Sequence, residues 1–242
     1  MSRPLHRFRA VIFDMDGLLL ETEVLWQKAE ARLFQRHGAA FTFEDKLTVM
    51  GTSAAFTGEF FARRLGLPAD EAAALIREVT ELMHKELQSR VDARPGAVEL
   101  VRRLRGRVRL ALASNSPRLL VDAALISAGF TDAFDAVVSS DDVPNHKPAP
   151  DLYLLACERL GVAPGEALAL EDTASGIASA KAAGLACIAV PQFAETDVSA
   201  ADRVIHSLVE LLPEASGVSS RYPLRHVSKH QDPPNPRRAG TR

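Results

Sequence analysis

The chain has little of what marks secreted, membrane-spanning or nucleic-acid-binding proteins. Its 242 residues include two cysteines, Cys157 and Cys187, both in apolar stretches (LLACERL and GLACIAV). No disulfide framework is indicated, and a reducing, cytoplasmic compartment is expected. No apolar run approaches the ~18 residues that would span a bilayer. The opening MSRPLHRFRA is basic, but Asp14 and Asp16 cut short the apolar stretch after it, so it does not read as a signal peptide. An excess of one charge is also missing. Formal net charge is −2, which gives no reason to invoke nucleic acid or an anionic membrane as partner. What remains is ordinary globular composition, with 47% apolar and 25% charged residues. Such a length allows one large domain or two unequal ones, at the usual ~100–200 residues per domain, and a monomer is the default expectation.

Short apolar runs alternate with helical patterns. Ala10–Phe13, Val108–Ala113, Ala136–Ser139, Ala167–Leu170 and Ala186–Val190 read as strands, and Val204–Ile205 as a short sixth. Several are apolar at nearly every position, as parallel strands covered on both faces are. Helices are expected at about Gly96–Leu104, Pro117–Ala128, Pro150–Leu160 and Ala174–Ala183, with a closing helical turn at Ser207–Leu212. That alternation implies an α/β fold with a doubly wound, mainly parallel sheet. From about Glu21 to Arg94 the rhythm changes to helical spacing alone. Leu25, Ala29, Leu33 and His37 share one face, and Phe56, Phe60 and Arg64, then Ala72, Ile76, Val79 and Met83, continue the pattern. Gly17 and Pro95-Gly96 are natural hinges. The expected organisation is an α/β core of residues 1–20 and 95–216 with an inserted helical domain of residues 21–94. Residues 217–242 are rich in Pro, Arg and Ser and carry a net charge of +5, which reads as a disordered tail. His226 and His230 lie there at helical metal-site spacing without a third ligand nearby, so a solvated tail is the simpler reading.

Four strand ends carry polar groups. Asp14-Met15-Asp16-Gly17 follows the first strand, placing two carboxylates where open α/β sheets bind ligands; alone, it is also an ordinary Asp-Gly turn. Ser114-Asn115-Ser116-Pro117 follows the second. Ser116 suits an N-cap and Pro117 the first helical position, and such a helix start binds anions. Lys147, in His146-Lys147-Pro148-Ala149-Pro150-Asp151, follows the third and is either a solvated loop cation or a phosphate partner. Glu171-Asp172 follows the fourth, ahead of Thr173-Ala174-Ser175-Gly176. Two acids there suit a hard cation such as Mg²⁺, or simply an acidic helix start.

In order and spacing, DMDG, ASNS, KPAPD and ED followed by ASGIASAKAAG resemble the haloacid dehalogenase superfamily, over about Phe8 to Val190. The inserted helices look like its small α-helical cap, and the branch with β-phosphoglucomutase and sugar-phosphate phosphatases is the most similar. The resemblance implies a Rossmann-like core and a Mg²⁺-dependent phosphatase. Asp14 would be nucleophile and metal ligand. Asp16 would be acid and base and would lend its backbone carbonyl to the metal. Asp172 would complete the ligands, with Glu171 supporting them, while Ser114, Asn115 and Lys147 hold the phosphoryl group. Asp16 argues against the dehalogenases and phosphonate-cleaving relatives, which lack that second Asp. The mutase reading is weakened at three positions: Trp26 stands for a His, Ala54 for an Arg in the Gly51-Thr52-Ser53-Ala54 run, and Leu82 for a cap Lys. Trp26, Gly51, Thr52 and Ser53 are candidate cap contacts to substrate; Trp26 could equally be core packing and Gly51-Thr52-Ser53 a helix cap. The substrate class implied is a small phosphorylated metabolite, a sugar or polyol phosphate. A phosphomutase and a non-catalytic phosphometabolite-binding protein are the alternatives.

Overall fold

The computed structural model describes residues 5–213; the expected tail, with His226 and His230, lies outside them. Six strands, β1 (Ala10–Phe13), β2 (Arg109–Ala113), β3 (Ala136–Val138), β4 (Ala167–Glu171), β5 (Ala186–Ala189) and β6 (Arg203–Val204), form one sheet in the order β3-β2-β1-β4-β5-β6. All pairs are parallel, and β1 lies between β2 and β4, with Ala10 opposite both Arg109 and Ala167. The expected strands agree to within a residue at each end.

The apolar runs are two-sided, as strand alternation requires. Val11, Phe13, Leu110, Leu112, Leu168 and Leu170 face one apolar cluster, which includes α5 (Ala97–Leu104) and α6 (Arg118–Ser127). Ala10, Ile12, Ala111, Ala113, Ala167 and Ala169 face the other, against α7 (Asp151–Leu160) and α8 (Ala174–Ala182). The second face is almost all alanine, so α7 and α8 can pack close to the backbone of the sheet. Asp14 and Glu171 continue the alternation of that second face.

Between β1 and α5 the described chain is helical, through α1 (Glu23–Arg36), α2 (Phe43–Val49), α3 (Ala54–Leu65) and α4 (Ala72–Leu87). Helix α4 packs against both α1 and α3. Phe34, Phe41 and Phe61 meet edge to face, with ring centroids 5.0–6.0 Å apart. Leu25, Ala29 and Leu33 are buried as expected. His37 is not: it caps the C-terminus of α1, is exposed, and meets Glu78 Oε2 at 3.2 Å. Phe56, in the first turn of α3, is also exposed. The two connections to this helical stretch run side by side. Leu20 and Ala93 form an antiparallel bridge, flanked by hydrogen bonds from Glu21 N–H to Asp92 O and from Arg94 N–H to Leu19 O, both 2.9 Å. No helix among the described residues is long and apolar enough to cross a membrane.

Candidate active site

Asp14 is the first residue beyond β1, and its N–H still joins the ladder, donating to Leu170 O over 3.0 Å. Its carboxylate meets Lys147, which arrives from the loop between β3 and α7. Lys147 Nζ donates to Asp14 Oδ1 (2.6 Å), Glu171 Oε1 (2.6 Å) and Ala113 O (2.8 Å). One buried ammonium thus spends its three donors on acceptors at the ends of β1, β4 and β2. Burial works to lower the Lys147 ammonium, but Asp14 and Glu171 outweigh it and hold it well above its ordinary value. It is a fixed cation, not a solvated loop residue.

Glu171 is committed to the protein. Oε1 also accepts from the buried Tyr153 hydroxyl (2.6 Å), and Oε2 from Asp172 N–H (3.2 Å) and Thr173 Oγ1 (3.3 Å). A Cβ on Gly176 would collide with this carboxylate, so the α8 backbone approaches it as only glycine allows. Asp172 is different. Its Oδ2 accepts from Gln192 Nε2 at 3.3 Å, while its buried Oδ1 has no hydrogen-bond partner in the protein. Carboxylate oxygens of Asp14, Glu171 and Asp172 all lie within 4.8 Å of one another. Burial, opposed by Lys147 and reinforced by Glu171 and Asp16, holds the Asp14 carboxyl well above the usual range. Burial, then Asp14 and Glu171, does the same for Asp172. Crowded, dry carboxylates with an orphaned oxygen are what a hard divalent cation relieves. With Glu171 occupied, Asp14 and Asp172 are the residues that fit it. Gly17 turns beside them at φ 90°, where a Cβ would strike the Asp172 carboxylate and the Gln192 amide.

Asp16 is the junction between strand ends and helices. Its Oδ1 accepts from Thr22 Oγ1 (2.7 Å) and Trp26 Nε1 (3.2 Å), and its Oδ2 from Ser116 Oγ (2.8 Å) and Ser114 Oγ (3.3 Å). Ser116 therefore does not cap α6; Pro117 takes the N-cap position. The Asn115 side chain bonds the Lys147 main chain, accepting from its N–H and donating to its carbonyl.

Asp14, Asp16, Ser114, Asn115, Lys147 and Asp172 line a cavity of about 180 Å³, whose helical wall includes Glu23, Trp26, Glu30, Lys46, Gly51, Thr52 and Thr57. Lys46 is paired there with Glu23 and Glu30. Gly51 O accepts from Ser175 Oγ at 2.7 Å, joining the helical stretch to the loop after β4. Thr52 Oγ1 donates to Val49 O at 2.8 Å, and Ser53 caps α3 by accepting from Phe56 N–H at 3.3 Å, away from the cavity. A larger cavity of about 760 Å³ between α3 and α4 is lined mostly by alanine and other apolar groups and gathers no convergent polar set. Thr22, Tyr153, Gln192 and the Glu23–Glu30–Lys46 group were not singled out from the sequence. Nothing in their local sequence marks them, because their partners are brought to them only by the fold.

A family model described as haloacid dehalogenase-like hydrolase matches residues 8–184. The chain belongs to this family. A fructose-1-phosphate phosphatase of Escherichia coli is 33% identical over 76% of this chain and 97% of its own length. A phosphorylated carbohydrates phosphatase of Thermotoga maritima is 33% identical over 73% of this chain and 82% of its own. The crystal structure of CbbY from Rhodobacter sphaeroides in complex with phosphate superposes with a TM-score of 0.75 at 32% identity, covering 84% of this chain and 96% of that one. The enzyme is a phosphoric monoester hydrolase of the haloacid dehalogenase-like family, and its Rossmann-like core is that family's fold.

Proposed function

We propose that this member of the family is a Mg²⁺-dependent phosphatase of small sugar or polyol phosphates, with Asp14 as nucleophile. The observation that carries the reading is the strand-end cluster. Asp14 is held by Lys147 at 2.6 Å, beside Asp172 with its orphaned buried oxygen. In this reading residues 21–94 form a cap domain over a core of residues 1–20 and 95–216.

A carboxylate attacking a phosphate dianion meets like charge, about 4 kcal/mol per unit pair at ~4 Å and an effective dielectric near 20. Lys147 offsets part of this at the nucleophile itself. Asp14, Asp172 and the Asp16 carbonyl would hold Mg²⁺, which supplies the remaining charge neutralisation. Asp14 attacks phosphorus and the bond to the ester oxygen breaks. Asp16 protonates the departing oxygen. The aspartyl-phosphate on Asp14 then splits one hard displacement into two easier ones. Asp16 takes a proton from water, whose oxygen displaces Asp14 and releases inorganic phosphate. The Asn115 main chain would receive a phosphoryl oxygen, since the Asn115 amide is already committed to Lys147. Ser114 Oγ would turn to another from its 3.3 Å contact with Asp16, and Lys147, whose three donors are taken, would attract them by charge.

Water is favoured as acceptor over a second sugar oxygen. Trp26 gives its N–H to Asp16, and Leu82, where a mutase cap carries Lys, is buried among apolar side chains. The sugar-phosphate activities named for the relatives support the substrate class. The test is p-nitrophenyl phosphate turnover with Mg²⁺, with chelator, and with Asp14→Asn. Turnover is expected only for wild type with metal. Equal activity of wild type and Asp14→Asn would end the enzyme reading, and conversion of β-glucose 1-phosphate to glucose 6-phosphate with a bisphosphate activator would favour the mutase.

A further inference from the structure

The cavity has a second charged centre, on the wall formed by α1 and α2. Lys46 Nζ stands 2.8 Å from Glu23 Oε1, and 3.0 and 3.2 Å from the two oxygens of Glu30. Lys46 and Glu30 are buried, and all three residues line the cavity that holds Asp14 and Lys147. As scaffolding such a group is poor value, because dry charges cost several kcal/mol each to desolvate and apolar side chains of similar size often serve as well. Its charges are unequal, two carboxylates to one ammonium. Burial acts to lower the Lys46 ammonium, but Glu23 and Glu30 hold it above its ordinary value. Burial, opposed by Lys46, pushes Glu30 up to about 7. With two carboxylates on one ammonium, the group presents no excess positive charge to the cavity. Among the described residues that line the cavity, Lys46 and Lys147 are the cations, and each already lies between two carboxylates. The phosphoryl end has its own cation site, whereas the α1–α2 wall has no unspent positive charge for a second anion.

We infer that Glu23, Glu30 and Lys46 select the substrate's distal end by charge, accepting hydrogen bonds from an uncharged, hydroxyl-bearing group and rejecting a second phosphate. This rests on the phosphatase reading of Asp14 and adds the substrate class: monophosphate esters of polyhydroxy compounds, not bisphosphates.

Fructose 1-phosphate and fructose 1,6-bisphosphate share a carbon chain and differ by one phosphate. We expect kcat/KM, and affinity measured by calorimetry with Asp14→Asn, to favour the monophosphate by at least about tenfold, or about 1.4 kcal/mol. The double variant Glu23→Gln, Glu30→Gln leaves Lys46 unneutralised, and should raise the bisphosphate-to-monophosphate ratio by about fivefold or more. Should that variant not fold, Glu23→Gln alone, at the less buried position, should move the ratio the same way by about threefold. The proposal is overturned if wild type uses or binds the bisphosphate as well as the monophosphate, if it binds neither, or if a folded variant leaves the ratio unchanged. If p-nitrophenyl phosphate is not turned over, the phosphatase reading falls, and the affinity ratio still decides the charge rule.

Discussion

The Asn115 side chain holds the Lys147 main chain from both sides, Oδ1 accepting from its N–H over 2.9 Å and Nδ2 donating to its carbonyl over 3.3 Å. The direction from which the Lys147 ammonium reaches Asp14 therefore depends on an amide at the end of another strand. Asn115→Ala should lower kcat/KM for p-nitrophenyl phosphate by roughly 10–100-fold, the scale of an ångström-sized misplacement of catalytic groups. Asn115→Asp keeps one acceptor but loses the donor, and should fall between.

Tyr153 supports Lys147 at one remove. Its hydroxyl is buried and donates to the Glu171 oxygen that also takes Lys147. Burial, then Glu171, holds the phenol well above its ordinary value, so it stays a donor. Tyr153→Phe removes that donor and leaves a buried charged acceptor short of a partner. Urea unfolding should show a loss of about 1–3 kcal/mol. The same variant should lose several-fold in kcat, because Lys147 shifts toward the less satisfied Glu171.

Cation binding should compete with protons. Asp14 and Asp172 both have carboxyls raised by burial, so the metal-free fold binds protons that the unfolded chain has released. Its stability from these groups is present below their ordinary range and is lost as pH rises through the raised values. A divalent cation takes the place of those protons. The increase in Tm on adding Mg²⁺ should therefore be small at about pH 5 and larger at about pH 8. Asp172→Asn should raise the metal-free Tm at the higher pH and abolish most of the Mg²⁺ response. A response independent of pH would contradict the assignment of these two carboxylates.

Gly176 is expected to tolerate no side chain. In Gly176→Ala the new methyl collides with the Glu171 carboxylate, which cannot retreat without releasing Lys147, Tyr153 or Thr173. Overpacking of this kind typically costs about 1–3 kcal/mol. Here it should appear as a lower Tm together with a lower kcat; a change in Tm alone would mean that Glu171 moved without disturbing Lys147.

The sheet was legible because parallel strands covered on both faces leave a continuous apolar signature. Ala10–Phe13 and Ala167–Leu170 are buried at every position. The acids and Lys147 were legible as groups stranded where such runs end. Side-chain partners across the fold were not. Ser116 reads locally as a cap, yet its hydroxyl finds Asp16, 100 residues earlier in the chain. Tyr153 sits on a helix face indistinguishable from core until the alternation of β4 brings Glu171 opposite it. Lys46 and Glu30 look like solvated helix charges, and only packing of α2 on α1 reveals that they are dry. His37 continues an apolar spacing but falls where α1 has already ended.

The bridge between Leu20 and Ala93 has a consequence for how this protein can change. Everything between those residues departs and returns at one stem, so it enters the fold as a single closed loop. The entropy of closing a loop grows only with the logarithm of its length, by about 0.6 kcal/mol for each doubling. Turns can therefore be lengthened or helices exchanged beyond the stem without shifting the pairing of β1 with β2. The molecule can be reshaped on one side of the cleft while the chemistry on the other keeps its register.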